Sequence, residues 1–219
     1  MSLVVKDSST SSFIPVPPGM HLARCYRIIE LGTQKSEYMG NVKHVKKVMI
    51  QFEVHSEDSE GNPLTTSDNK PMTMSKNYSA FLVEKAALRK DLEAWRGRPF
   101  TESEKNGFEL KNILGQWAMI TVGQSENNGK TYTNILNINP VPANIKKAGL
   151  PDGYNELKIF EIDEADMELF ESFSDGLKDK IRLSPEWEKI HGKASYDNGF
   201  TEVAAAGASF DDMESDLPF

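Results

Sequence analysis

Positively charged and aromatic side chains are interleaved along the first two-thirds of the sequence, a pattern that suits contacts with a single nucleic-acid strand. Lys and Arg neutralise phosphates and release the counterions condensed on them. Tyr rings stack on unpaired bases of any identity, because every base has a π-face. Each residue alone has an ordinary explanation, since Tyr and Lys are common on exposed strand faces. The candidates are Arg24, Tyr26, Lys35, Tyr38, Lys43, Lys46, Lys47, Lys76, Tyr78, Lys130 and Tyr132.

The last nine residues form an acidic run that ends in Leu-Pro-Phe. The terminal aromatic ring and α-carboxylate can enter a pocket that offers an apolar slot and a cation, while the preceding acids favour a basic rim. A purely solubilising tail would explain the acids but not the apolar end. We therefore predict a partner-binding tip made of Asp211, Asp212, Asp216, Leu217, Pro218 and Phe219.

No combination of residues typical of an enzyme active site is evident. The sequence lacks the phosphate-binding glycine loops, the paired-histidine zinc motif and the nucleophile-elbow motif. Its one cysteine, Cys25, excludes an internal disulfide and a cysteine-based zinc site, and its four histidines show no ligand spacing. A nuclease would need acids clustered inside the ordered body, where Glu53 with Glu109 is the best pair. We therefore predict no catalytic residue, no metal and no cofactor.

Net charge divides the chain into two parts. The 219 residues carry a net charge of −8, but residues 1–158 hold 20 Lys+Arg and 17 Asp+Glu, so the excess acid lies entirely in residues 159–219. This asymmetry predicts a mildly basic body and an acidic tail.

No apolar run approaches the ~20 residues that span a bilayer, and the N-terminal residues lack a signal core. We expect a cytoplasmic protein without a membrane partner.

Five predicted strands and one long helix position the candidate residues. Alternation of apolar and polar residues is clearest in the second strand. Between the third and fourth strands the period changes, and apolar residues from Phe81 to Trp95 follow one face of a helix. The predicted strands are His21–Leu31 with a bulge near Arg27, Val45–His55, Pro71–Tyr78, Trp117–Gly123 and Tyr132–Asn139.

The order of three strands, a helix and two strands predicts a mainly β fold: a five-stranded OB-fold barrel with a helix between strands 3 and 4. A β-sandwich is the alternative, but it would need about seven strands.

Residues 33–44 are expected to form a loop between the first two strands, and Thr101 with Glu104 forms a capping box for a short second helix. The predicted segments are an N-terminal arm (1–19), the barrel (20–142), a helical extension (143–192) and a disordered acidic tail (193–219).

Two helices are predicted within the extension. Asp163 is expected to cap the first, and Ser184-Pro185 to begin the second. We expect the apolar stripe of the first helix to pack on the barrel. A partner or dimer surface is the alternative, so the sequence leaves monomer and homodimer open. The stripe consists of Phe170, Phe173, Leu177 and Ile181.

Two parts of the sequence resemble bacterial and phage single-stranded DNA-binding proteins. The ending Asp-Leu-Pro-Phe after an acidic stretch is similar to the C-terminal tip of those proteins. The Gly32-Thr33-Gln34 turn and the stretch 84–114 resemble a group of phage-encoded OB-fold proteins. The residues that carry this second resemblance are Leu88, Arg89, Leu92, Trp95, Arg96, Gly97, Arg98, Phe100, Thr101, Glu104 and Phe108.

The resemblance implies a barrel that coats and protects single-stranded DNA without sequence preference. It also implies that the tip recruits replication, recombination and repair proteins through Phe219, and that the tail competes with DNA for the basic groove. The helical segment 163–192 departs from the bacterial proteins, so their tetramer is not carried over.

We therefore expect a non-enzymatic single-stranded DNA-binding protein of phage DNA replication, recombination or repair, acting in the host cytoplasm. The alternative is an OB-fold adaptor that joins replisome proteins without binding DNA. The lysines within residues 43–47 favour DNA, because a dedicated adaptor needs no such cluster.

Overall fold

The computed structural model describes residues 15–38, 41–127 and 130–192. These residues form a mainly β fold with one six-stranded sheet and several short helices. The strand order is β3-β2-β1-β4-β5, and β6 pairs with β1 beyond the end of the β1–β4 ladder. The ladders are antiparallel except for β1–β6. The strands are β1 (Gly19–Tyr38), β2 (Asn41–Val54), β3 (Thr73–Ser79), β4 (Trp117–Asn127), β5 (Lys130–Asn139) and β6 (Lys158–Phe160).

Helices connect the strands and follow the sheet. Two of them, with a 3₁₀ turn (Leu110–Ile113), lie between β3 and β4, one lies between β5 and β6, and three follow β6. The predicted capping box is confirmed, because Thr101 Oγ1 accepts from Glu104 N and Glu104 Oε2 accepts from Thr101 N. The helices are α1 (Ala87–Arg96), α2 (Glu102–Asn106), α3 (Ala143–Ala148), α4 (Met167–Glu171), α5 (Asp175–Arg182) and α6 (Pro185–His191).

The main core lies between the curved sheet and α1. The predicted burial of the apolar face of β2 is confirmed, since Ile50, Phe52 and the other apolar residues on that face are buried. The opposite face is not exposed as expected, because Lys47 and Glu53 are buried too. Trp95 of α1 packs against Phe52 with ring centroids 5.5 Å apart, and its Nε1 donates to the carbonyl of Trp117 at 2.9 Å. The helix therefore closes the core from the side where β4 begins.

The first two strands are longer than the sequence predicts. Residues 33–44 were expected to form a loop, but they continue β1 and β2 as a paired hairpin. Polar side chains occupy both faces there, so the alternation that marks a half-buried strand is missing. The predicted bulge is confirmed, because the β1–β2 register shifts between Cys25 and Arg27.

A second core joins the C-terminal helices to β1. Ile29 and Leu31 are fully buried against β6, α4, α5 and α6. The rings of Phe170 and Trp187 stack with centroids 4.4 Å apart. Ser184 caps α6 as predicted, with its Oγ accepting from the backbone N–H of Trp187 at 3.3 Å.

Three features of this region differ from expectation. The single helix that was expected to carry Phe170, Phe173, Leu177 and Ile181 is divided into α4 and α5, and Phe173 lies between them. The cap of α4 is Asp166, whose Oδ1 accepts from Leu169 N at 3.0 Å, and not Asp163. The parallel strand β6 was not predicted, because three residues are too few to show a period.

Candidate nucleic-acid interface

The sheet face that was expected to present cations and rings to solvent is largely covered by residues 151–192. Arg24 illustrates this correction. Its Nε lies 2.7 Å from Glu53 Oε1, and its Nη2 donates to the carbonyl of Asn155 at 2.6 Å. A Cβ at Gly153 would collide with the Arg24 guanidinium, so the chain passes directly over it. Arg24 therefore belongs to an internal network.

Glu53 is the centre of that network and is fully buried. One carboxylate oxygen accepts from the N–H of Tyr154 at 3.0 Å, and the other accepts from the backbone and side-chain nitrogens of Asn155 at 2.7 and 2.6 Å. His55 Nε2 lies 3.1 Å away. Burial raises the pKa of Glu53, but the contacts with Asn155, His55 and Tyr154 outweigh it and leave the pKa below its ordinary value. Through these hydrogen bonds, the carboxylate joins residues 153–155 to strand β2 of the sheet.

Tyr26 and Lys47 are also buried, at 5% and 8% exposure, so their expected exposure is wrong. The Tyr26 hydroxyl donates to Gln51 Oε1 at 3.3 Å. The Arg27 guanidinium lies over the rings of both Tyr26 and Phe173, at 5.2 and 5.7 Å from their centroids. Burial raises the pKa of Tyr26. The Arg27 guanidinium, itself placed against Phe173, thus occupies space over the Tyr26 ring that a base would need.

Lys76 and Tyr78 face the interior, where they join β3 to α1 and β5. The Tyr78 hydroxyl donates to Asp91 Oδ2 at 2.7 Å, and Lys76 Nζ lies 2.9 Å from the same oxygen. Lys76 Nζ also approaches the carbonyl of Leu136 at 3.4 Å. Tyr78 is 3% exposed and belongs to the main core, so its expected place on an outward face is wrong.

Three of the predicted cations do reach the surface, on the distal part of the β1–β2 hairpin. We call residues 33–38 and 41–46 the β1–β2 arm. Lys35, Lys43 and Lys46 are exposed there. Lys35 is the register partner of His44, and Thr33 is that of Lys46, so Lys35 and Lys46 share one face of the arm. Lys43 lies on the other face.

The base of the β1–β2 arm is held by the C-terminal helices. The Thr33 N–H and hydroxyl donate to the two oxygens of Glu186 at 2.8 and 2.6 Å. Gln34 Nε2 donates to the carbonyls of Leu31 and Lys180 at 2.6 and 2.9 Å. Sequence reasoning missed the role of Glu186. Its only local signal was its place in the first turn of a predicted helix.

Lys46 forms an ion pair with Glu30 at 2.6 Å while its side chain remains more than half exposed. The hydrogen bond with Glu30 raises the pKa of Lys46. The ammonium therefore stays charged at neutral pH, although part of its charge is compensated. Lys35 and Lys43 also carry positive charge on the arm.

Tyr132 is 44% exposed on β5, opposite Ser125 of β4. By register, the part of the β4–β5 ladder that contains Ser125 and Tyr132 extends beyond Gly19, at the opposite end of β1 from the β1–β2 arm. The structure therefore does not place Tyr132 beside the lysines of the arm along the strand. Its ring is nonetheless available for stacking.

Several predicted residues lie outside the described part of the chain. The side chains of Tyr38 and Lys130 are among them, as are most of the N-terminal arm (1–14) and the tail (193–219). The predicted tip lies there in full: Asp211, Asp212, Asp216, Leu217, Pro218 and Phe219.

Within residues 15–38, 41–127 and 130–192, no cluster of three or more His, Cys, Asp or Glu residues could hold a metal ion. In the same ranges, no helix is long and apolar enough to cross a membrane.

No protein-family model matches the chain, and comparison with curated proteins gives no match.

Proposed function

We propose that this protein binds single-stranded DNA without sequence preference and that its sheet is an OB-fold barrel. Two features support the barrel. The strand order β3-β2-β1-β4-β5, with α1 between β3 and β4, is the order that a five-stranded Greek-key barrel requires. The outer strands β3 and β5 also approach each other, where Lys76 reaches the carbonyl of Leu136.

The observation that carries the DNA proposal is the β1–β2 arm with its exposed lysines. Strand β1 has 20 residues, and its last six, residues 33–38, form one strand of the arm. In barrels of this type the loop between strands 1 and 2 is one of the elements that grip oligonucleotides. Lys35, Lys43 and Lys46 place positive charge on both faces of it.

The proposed mechanism is electrostatic tracking with some stacking. Lys35 and Lys43 neutralise phosphates and release counterions, which makes affinity depend strongly on salt. Tyr132 offers a ring to one unpaired base. The acidic tail (193–219) recruits replication and recombination proteins through its terminal Phe219 and competes with DNA for the lysines of the arm.

An adaptor that does not bind DNA is the second candidate. The engagement of two predicted DNA-binding cations within the protein favours it, because Arg24 pairs with Glu53 and Lys76 pairs with Asp91. The adaptor hypothesis predicts that no binding to DNA appears even at low salt.

Fluorescence anisotropy of a labelled oligo-dT distinguishes the two. We expect binding at low salt, similar binding to oligo-dA, and much weaker binding to duplex DNA of the same length. In a variant with Asp211, Asp212 and Asp216 changed to Asn, we expect tighter binding because less negative charge competes with DNA. Absence of binding by both proteins at low salt would exclude the DNA proposal and favour the adaptor.

A further inference from the structure

A cleft of about 460 Å³ lies where β4 begins and β5 ends. Its walls come from the end of α1, from α2, from the start of β4 and from α3. No residue of the β1–β2 arm lines this cleft. Its size falls within the range of about 300–1,000 Å³ that is typical of small-molecule sites.

Positive charge dominates the lining of the cleft. Arg96, Arg98 and Lys146 face a single carboxylate, that of Glu104, which leaves a formal excess of two positive charges. Among the described residues no acid pairs with Lys146. A ligand that balances this excess must itself carry close to two negative charges.

The two arginines of the cleft are held in place by contacts within the protein. Arg98 donates to both oxygens of Glu104 at 2.9 and 2.8 Å, and Arg96 Nη2 contacts the same carboxylate. These contacts, first of all the one with Arg98, lower the pKa of Glu104 to about 2. The Arg96 guanidinium lies over the rings of Phe100 and Phe108, at 4.5 and 5.0 Å from their centroids. Its Nη1 is buried and has no acceptor among the described residues.

Aromatic side chains adjoin these cations. Phe108 and Trp117 are half-buried and line the cleft. A flat ring can stack on either of them, while an attached anion reaches Arg98 and Lys146. A phosphate monoester carries about −1.5 to −2 charges at pH 7 and matches the charge excess. A single carboxylate or a phosphodiester carries only about half of that charge.

We propose that this cleft binds a phosphate monoester attached to a flat ring, as in a mononucleotide or the 5′-phosphorylated end of a strand. The cleft and the β1–β2 arm share no residue, so this proposal does not depend on the proposed binding of single-stranded DNA.

Isothermal titration of the full chain with deoxythymidine monophosphate tests the site. We expect saturable binding of this nucleotide, weaker binding of inorganic phosphate, and no binding of thymidine. Arg98→Ala/Lys146→Ala should weaken nucleotide binding about tenfold or more, because two charge-assisted contacts are lost. The matched variant Lys90→Ala/Lys147→Ala removes two exposed lysines outside the cleft and should bind like the wild type.

Other results would overturn the proposal. Thymidine binding as tight as that of the nucleotide would exclude recognition of the phosphate, and inorganic phosphate binding equally tightly would exclude the role of the ring. Equal weakening in both double variants would place the site elsewhere, and failure of the nucleotide to bind would exclude it altogether.

Competition identifies the source of the phosphate. If the site takes a strand end, a 5′-phosphorylated oligo-dT displaces the nucleotide and the 5′-hydroxyl form does not. If it takes a free nucleotide, neither oligonucleotide displaces it. Displacement by the 5′-hydroxyl form equal to that by the phosphorylated form would contradict recognition of a monoester. Failure of oligo-dT to bind at all would refute the DNA proposal without affecting this one.

Discussion

Replacing Glu53 should destabilise the protein more than any surface substitution, because this buried carboxylate joins the sheet to residues 153–155. Glu53→Ala leaves Arg24 without its anion and leaves the N–H groups of Tyr154 and Asn155 without an acceptor. Removing one partner of a buried ion pair costs about 3–5 kcal/mol. For a chain of this size, each kcal/mol lowers Tm by about 2–4 °C, so we expect a decrease of roughly 6–20 °C.

Urea denaturation followed by circular dichroism measures this loss. Glu57→Ala removes an exposed carboxylate four residues away and should change the free energy of unfolding by less than about 0.5 kcal/mol. Glu53→Gln keeps the shape but not the charge and should cost about 1–3 kcal/mol. A decrease in the free energy of unfolding of less than about 1 kcal/mol for Glu53→Ala would contradict the role of Glu53 in joining the sheet to residues 153–155.

The same network predicts a pH dependence. The pKa of Glu53 in the folded protein lies below its ordinary value of 4.5, so the unfolded chain takes up the proton first as pH falls. The stabilisation by Glu53 is therefore complete above about pH 4.5 and is lost as pH decreases towards the folded pKa. The difference in unfolding free energy between wild type and Glu53→Gln should shrink below pH 4.5, and a constant difference down to pH 3 would contradict this assignment.

Three further predictions concern the second core, Gly32 at the base of the β1–β2 arm, and the β4–β5 hairpin. Trp187→Ala should cost about 3–5 kcal/mol in urea denaturation, since its ring stacks on Phe170, whereas the exposed Ile190→Ala should cost far less; equal losses would count against the packing. Gly32→Ala should destabilise by about 1–3 kcal/mol, because Gly32 has φ 68° and a Cβ there would collide with the Ser184 side chain; unchanged thermal stability would be inconsistent with this geometry. Tyr132→Ala should weaken binding of oligo-dT by about 1–3 kcal/mol in an anisotropy titration, and unchanged affinity would remove Tyr132 from the proposed interface.

The sequence predicts the main core and the order of the first five strands and α1 along the chain well, because both follow from local patterns. The alternation in β2 and the spacing of Leu88, Leu92 and Trp95 are strong periodic signals, and the capping box of Thr101 and Glu104 is a short-range one. Each depends on residues within a few positions of one another, so no tertiary information is needed.

The exposure of individual residues could not be predicted in the same way. Tyr26 and Arg24 do point away from the main core, but residues 153–155 cover Arg24, and Arg27, placed against Phe173, lies over Tyr26. Such long-range contacts leave no periodic trace in either segment. Glu53 shows the same limit, because a lone acid on the polar face of a strand is ordinarily solvated rather than fully buried.

The extent of the β1–β2 arm was also hidden. Both faces of the arm are polar, so the alternation of apolar and polar residues by which a strand is recognised is missing. In addition, Gly32 in the sequence suggests a turn, whereas in the structure β1 continues through Gly32 and passes close to Ser184. As a result, the exposed lysines of the arm were predicted, but as loop residues rather than as residues of a paired hairpin.

The salt dependence of oligo-dT binding tests the central claim most directly. Each phosphate contact on single-stranded DNA contributes about −0.7 to the slope of log K against log salt concentration. Lys35→Gln/Lys43→Gln should therefore bind more weakly, with a slope shallower by roughly 1.4 than that of the wild type. The control Lys90→Gln/Lys147→Gln, which removes two exposed lysines outside the arm, should retain the wild-type slope. Equal slopes for the wild type and the arm variant would contradict the proposed interface.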